Sequence, residues 1–104
     1  MSFKNSSDYL REIEQDINEG CDAVIVKPAL SYLDVISKVK DRFSIPIIGY
    51  CVSGVYSMIK SASKENLIEE IDVTMEILFS IKRAGATAII TYSAIEIARK
   101  LNKE

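Results

Sequence analysis

The chain has 104 residues, of which 13 are lysine or arginine and 15 are aspartate or glutamate, giving a formal net charge of −2. This near balance, with no run of five or six like charges, argues against nucleic acid as a partner. The longest apolar runs, over 23–26 and 45–49, are far shorter than the roughly 20 residues that cross a bilayer, so no membrane partner is expected. The polar start MSFKNSSD lacks a signal-peptide core, which predicts a cytoplasmic protein.

The two cysteines also limit the possibilities. Cys21 and Cys51 stand 30 positions apart in a chain without histidine. They form neither a disulfide framework nor a recognisable zinc pattern, and we expect both to be small buried residues. The length and the absence of an evident linker predict a single domain over residues 1–104.

The first half of the chain predicts a helix, a strand, a second helix and a second strand. Ser7 is placed to cap a helix over 8–18, and Gly20 is placed to end it with a left-handed turn. The run over 22–27 is rich in β-branched residues and does not alternate, which predicts a strand buried on both faces. Apolar residues at helical spacing follow over 31–42, and the next strand is predicted over 46–50.

The second half repeats this alternation. The pattern over 55–62 is helical, and a longer helix is predicted over 64–84, where Gly85 can end it. A third apolar run over 87–92 predicts a strand, and Ile95, Ala98 and Leu101 form one stripe of a last helix.

Three strands that alternate with helices predict an α/β fold with a parallel sheet and right-handed crossovers. Doubly wound and barrel arrangements both remain open from the pattern alone. A sheet of three parallel strands has two uncovered edges, so we expect the chain to self-associate or to cover them in another way.

Candidate functional residues stand where the apolar runs end, because ligands of parallel α/β folds bind at the carboxyl ends of the strands. Lys27 ends the first run, Tyr50 and then Ser53 follow the second, and Tyr92 ends the third. A lysine amine in such a place can serve as a nucleophile, for which the ordinary pKa near 10.4 must be lowered by burial or a nearby cation. The alternative is that Lys27 extends to solvent and that the hydroxyls are ordinary strand-end residues.

Three ordered segments carry a resemblance to a known family: EGCDAVIVKPALSYLD over 19–34, YCVSGVYSM over 50–58 and KRAGATAIITY over 82–92. They resemble the segments EGADxxxVKP[AG]xxYLD, YxVSGE[YF]AM and [KR]RAGADxI[IL]TY of the porphobilinogen synthases, also called 5-aminolevulinate dehydratases. Order and spacing agree across about residues 5–101. The resemblance implies the last three βα units of a (βα)8 (TIM) barrel.

It further implies an enzyme that condenses two molecules of 5-aminolevulinate into porphobilinogen for haem and other tetrapyrroles. Lys27 matches the lysine that forms a Schiff base with the substrate, and Tyr50 matches an aromatic residue that packs beside the imine. Ser53 and Tyr92 match the hydroxyl residues that bind the substrate carboxylate. Glu12 falls where many bacterial members place a carboxylate for an allosteric magnesium ion.

The chain departs from the family pattern at several positions. Val55 stands where the family usually has glutamate, Cys51 stands where a polar residue is common, and the tract after Met58 lacks a glycine-tryptophan signature. The family's second active-site lysine, its zinc-binding or aspartate-rich segment and its assembly arm match nothing in this chain.

We therefore expect no catalysis by the isolated chain, and either a homo-oligomer or a complementing N-terminal barrel chain as its partner. The first alternative is a noncatalytic α/β remnant that oligomerises or binds a partner through its sheet edges and open face. The second is an independent aldolase-like activity of Lys27, which lacks an acid–base partner beyond Tyr50 and Tyr92.

Overall fold

A computed structural model describes residues 6–102 of the chain. Its elements alternate between helix and strand, as the sequence predicts. In chain order they are α1 (Ser6–Asn18), β1 (Val24–Val26), a 3-10 turn (Ala29–Tyr32), α2 (Leu33–Arg42), β2 (Ile47–Tyr50), α3 (Ser53–Lys64), α4 (Glu70–Ala84), β3 (Ala88–Ile90) and α5 (Ala94–Asn102).

The three strands form one parallel sheet in the order β1-β2-β3. The register places Ile25 opposite Ile48 and Ile48 opposite Ala88, so these residues share one face of the sheet. The predicted parallel α/β fold is therefore confirmed. Parallel neighbours put their carboxyl ends at one edge of the sheet, which is the edge where the candidate functional residues are predicted to lie.

The two faces of the sheet differ in burial, which corrects the prediction that the first strand is buried on both sides. In β1, Val24 and Val26 are buried while Ile25 is 54% exposed, and Ile90 of β3 is 44% exposed. Within residues 6–102, the helices cover one face only. The apolar run does not reveal this, because inward-facing barrel positions are as apolar as positions under a helix.

The core lies between the covered face of the sheet and helices α1, α2 and α4. Its largest fully buried side chains come from β1, β2, α2 and α4: Val26, Val35, Ile36, Val39, Ile47 and Ile81. Gly49 lets α4 approach the central strand closely, since a Cβ at this position would lie 2.6 Å from Cγ2 of Ile81.

Several element boundaries differ from the predictions. Ser7 lies inside α1, which begins at Ser6, and the helix predicted over 31–42 begins with a 3-10 turn. The predicted helix over 64–84 starts only at Glu70, because α3 continues to Lys64 and then ends in a left-handed turn at Asn66 with φ 59°. The N–H of Leu67 donates to the carbonyl of Ala62 at 2.9 Å across that turn, as in a Schellman motif.

The predicted glycine stops are confirmed, with φ of 95° at Gly20 and 130° at Gly85. Across residues 6–102, no helix is long and apolar enough to cross a membrane.

Candidate functional site

Lys27 and Tyr50 lie side by side at the carboxyl ends of β1 and β2. Ile25 pairs with Ile48, so the next residues on that face are Lys27 and Tyr50, two positions further along each strand. The Nζ of Lys27 lies 5.6 Å from the centroid of the Tyr50 ring. The lysine side chain is exposed and the tyrosine is half-buried. The amine is therefore held over an aromatic face and is open to solvent from the uncovered side of the sheet.

A side chain of α1 contacts the backbone of Lys27. Tyr9 is buried, and its hydroxyl is hydrogen-bonded with the backbone of Lys27. Burial raises the pKa of Tyr9, and the hydrogen bond with Lys27 offsets part of that rise. The Tyr9 ring packs against Tyr32 with a centroid distance of 5.2 Å. The peptide bond between Lys27 and Pro28 is cis.

Ser53 and Tyr92 lie at the same edge of the sheet. Ser53 is the first residue of α3 and is exposed, and Tyr92 stands between β3 and α5 with 58% of its surface exposed. The Tyr92 ring packs against Tyr56 at a centroid distance of 5.5 Å. Within the described residues, no side-chain hydrogen bond or ring contact joins Ser53 or Tyr92 to Lys27 or Tyr50.

The loop that carries Tyr92 is tied to the end of β2. The backbone N–H of Cys51 donates to the carbonyl of Ile90 at 2.8 Å, and the Cys51 thiol is hydrogen-bonded with the Thr91 side chain. The N–H of Ser93 donates to Oγ1 of Thr91 at 3.2 Å. The prediction that both cysteines are buried is confirmed for Cys51 and is wrong for Cys21, which is only partly buried at the margin of the core.

The departure at position 55 has a structural explanation. Val55 is half-buried and lines a small, mostly apolar space with Ile59, Ile77 and Leu78, which the hydroxyl residues Thr74, Thr91 and Ser93 also line. A branched apolar side chain fits these surroundings, where an unpaired carboxylate would be costly.

Glu12 is exposed on α1, beside Asp8, Arg11 and Gln15. Asp8 is paired with Arg11 at 3.6 Å. Over residues 6–102, no group of three or more histidine, cysteine, aspartate or glutamate side chains could hold a metal ion. The assignment of Glu12 to a magnesium ion stays a prediction.

The sequence pattern predicts no role for Tyr9, Tyr56 or Lys60. In the structure Tyr9 contacts Lys27, Tyr56 contacts Tyr92, and Lys60 contacts Tyr56. The Nζ of Lys60 lies 5.3 Å from the centroid of the Tyr56 ring. The spacing of Tyr56 and Lys60, four residues apart on one helix, is a signal that could have found this contact. The contact of Tyr9 with Lys27 has no such local signal.

Parallel βα units with polar side chains at the carboxyl ends of the strands define an α/β protein with a candidate ligand site at that edge of the sheet. The family can be stated as well. The chain belongs to the delta-aminolevulinic acid dehydratase family, whose model matches residues 1–100.

Two curated relatives support this membership. The chain is 52% identical to the delta-aminolevulinic acid dehydratase of Staphylococcus aureus over 103 residues, which are 99% of this chain and 32% of the relative. It is also 52% identical to the enzyme of Archaeoglobus fulgidus over 101 residues, which are 97% of this chain and 31% of the relative. The chain thus spans about a third of the length of these relatives.

A solved structure matches the fold. The delta-aminolevulinic acid dehydratase (porphobilinogen synthase) of Toxoplasma gondii, in complex with the reaction product porphobilinogen, superposes with a TM-score of 0.92 and 44% identity. The match covers 95% of this chain and 28% of that one. The described fold is thus a part of a porphobilinogen synthase fold.

Proposed function

We propose that this chain provides the imine-forming side of a porphobilinogen synthase active site. The Nζ of Lys27 attacks the keto carbon of 5-aminolevulinate, and the carbinolamine loses water to give a Schiff base. The family reaction then joins this substrate to a second 5-aminolevulinate, with two waters lost for each porphobilinogen formed. This reaction serves haem and other tetrapyrrole synthesis.

The placement of Lys27 over Tyr50 is the observation that carries the proposal. The amine and the ring stand on neighbouring strands, with Nζ 5.6 Å from the ring centroid. A planar imine formed on that amine has a flat aromatic surface beside it, which favours one orientation of the substrate.

The substrate carboxylate is assigned to Ser53 and Tyr92. Both residues have a hydroxyl that can donate a hydrogen bond to a carboxylate oxygen. Ser53 is also the first residue of α3, where free backbone N–H groups and the helix dipole favour an anion. Attack by Lys27 would then occur on a substrate anchored at its other end.

The rest of the barrel is part of the proposal, because the site is open as described. Ile25 and Ile90 expose 54% and 44% of their surface on the uncovered face of the sheet. We infer that residues 1–104 act as one partial-barrel unit and that further strands cover this face. These strands come from elsewhere in the same protein, from a complementing chain or from a homo-oligomer. Alone, the chain leaves the reacting centre open to water and does not turn over.

Borohydride reduction in the presence of 5-aminolevulinate tests the proposed nucleophile. The folded chain is incubated with substrate, the imine is reduced to a stable secondary amine, and intact mass and peptide mapping locate the adduct. We expect one adduct, on Lys27, that is lost in Lys27→Ala.

Lys64→Ala is the matched control, because Lys64 is also an exposed lysine and lies at the end of α3, away from the strand ends. This variant should be labelled like the unchanged chain. Labelling spread over many lysines, or an adduct that persists in Lys27→Ala, would contradict the proposal.

A noncatalytic role is the second candidate, and the exposed apolar residues on the uncovered face favour it. Such a protein would assemble through this face without forming an imine. A folded chain that forms a stable assembly and gives no adduct would support this role against the first.

A further inference from the structure

Lys60 links three helices near Tyr92, one of the residues proposed to bind the substrate carboxylate. It lies on α3, and its ammonium group forms ion pairs with Glu70 in the first turn of α4 and, at 3.9 Å, with Glu96 in the first turn of α5. The hydrogen bond with Glu70 is the main cause of a raised pKa of Lys60, so the group is charged at neutral pH.

The same ammonium group contacts the aromatic pair that includes Tyr92. It lies 5.3 Å from the centroid of the Tyr56 ring, and that ring packs on Tyr92 at 5.5 Å with an interplanar angle of 45°. One chain of contacts therefore runs from Lys60 through Tyr56 to Tyr92.

We propose that Lys60 is a positioning residue that fixes the Tyr92 ring, and with it the hydroxyl that receives the substrate carboxylate, through the ring of Tyr56. This inference rests on the proposed function, in which the Tyr92 hydroxyl binds the substrate.

Two physical effects support this role. A cation held over an aromatic ring by two carboxylates restricts the orientation of that ring, and the ring in turn restricts its aromatic neighbour. Glu70 and Glu96 share the Lys60 ammonium group. If that cation is removed, the two carboxylates repel each other, and this repulsion would tend to separate α4 from α5. Tyr92 precedes α5 by two residues, so a shift of α5 would move it.

The test compares Lys60→Met, Lys60→Arg and the control Lys64→Met in the 104-residue chain. Lys64→Met makes the same change one turn further along α3. The first readout is the NMR signal of the Tyr92 ring, assigned with a Tyr92→Phe variant, because packing on Tyr56 imposes a ring-current shift. The second is the 5-aminolevulinate concentration that gives half-maximal borohydride trapping on Lys27.

We expect Lys60→Met to move the Tyr92 signal towards the position of a free tyrosine and to raise the half-maximal concentration about 3- to 10-fold. The adduct yield at saturating substrate should stay the same. Lys60→Arg keeps the cation and should give the same two readouts as the unchanged chain. Lys64→Met should change neither readout.

A double-mutant cycle separates positioning from general stability. If Lys60 acts through Tyr56, Lys60→Met should add little to the effect of Tyr56→Leu on the Tyr92 signal. Equal effects in the two backgrounds, or an unmoved Tyr92 signal in Lys60→Met, would overturn the inference.

The ring signal does not depend on the substrate. An absent adduct in the unchanged chain would contradict the proposed function, whereas the Tyr92 signal would still decide whether Lys60 holds the ring.

Discussion

At the scale of single residues, the contact of Tyr9 with the backbone of Lys27 links α1 to the candidate nucleophile. The hydroxyl is hydrogen-bonded at a buried position, and the ring packs on Tyr32 at a centroid distance of 5.2 Å. Through this contact α1 packs beside the residue that carries the candidate amine.

Tyr9→Phe should lower the free energy of unfolding by about 0.5–1.5 kcal/mol, because it removes one hydrogen bond and leaves the ring packing in place. Urea denaturation measures this difference. Tyr32→Phe, which alters the other ring and keeps the Tyr9 hydroxyl, is the control. A Tyr9→Phe variant as stable as the unchanged chain would show that the hydrogen bond contributes nothing net.

Cys51 makes stability depend on pH in the alkaline range. Burial raises the pKa of its thiol above the ordinary value of 9.0, and the hydrogen bond with Thr91 offsets part of this rise. The unfolded chain then loses the thiol proton at lower pH than the folded chain does. The contribution of the thiol to the free energy of unfolding is fully present below pH 9.0 and is lost as the pH rises through the pKa of the folded state.

The urea concentration at the unfolding midpoint should therefore fall as the pH is raised from about 8.5 to 10. The fall should be shallower in Cys51→Ala than in Cys21→Ala, since the half-exposed Cys21 has no comparable burial. Identical pH profiles for the two variants would contradict this assignment.

Some of these residue-scale features could be predicted and some could not. Lys27 and Tyr50 were found because strand ends are readable in the sequence, and their contact follows from the pairing of two adjacent strands. The contacts of Tyr9 with Lys27 and of Lys60 with Glu96 join distant parts of the chain. No local pattern indicates such contacts.

At the scale of elements, the approach of α4 to β2 depends on Gly49. A Cβ there would lie 2.6 Å from Cγ2 of Ile81 and 3.4 Å from Cβ of Ala29. Ile81 is fully buried and cannot turn away without disturbing the core. The central strand therefore accepts no side chain on its covered face at this position.

Gly49→Ala should destabilise the chain by about 1–3 kcal/mol through overpacking. The matched control is Gly54→Ala in α3, where a Cβ would meet nothing within 4 Å and alanine favours the helix. Thermal and urea unfolding would measure both variants. A cost in Gly54→Ala equal to that in Gly49→Ala would contradict the packing explanation.

Element types were predictable here, and boundaries were less so. The strands follow from short β-branched runs, and α1 and α4 end at glycines with positive φ as expected. The break between α3 and α4 was misplaced because Asn66, an ordinary polar residue in the pattern, adopts the left-handed conformation that ends α3. Propensity alone does not separate such an asparagine from one inside a helix.

At the scale of the whole molecule, the uncovered face of the sheet is the main feature that the sequence pattern did not reveal. Apolar residues such as Ile25 and Ile90 are typical both of a sheet face covered by helices and of a sheet face inside a barrel, so the pattern does not distinguish the two. The resemblance to a barrel family resolves this ambiguity, since the fold matches a porphobilinogen synthase of which the chain covers 28%. The remaining strands of that fold would lie on the face that is open here.

Complementation tests the claim that Lys27 supplies the imine of an enzyme whose other strands lie outside this chain. The chain would be mixed with the part of the Staphylococcus aureus relative that it does not match, complex formation followed by size-exclusion chromatography, and porphobilinogen measured colorimetrically. We expect a complex that forms product, with the rate reduced by at least about 100-fold in Lys27→Ala. No complex, a complex without product, or product formation that persists in Lys27→Ala would contradict the claim.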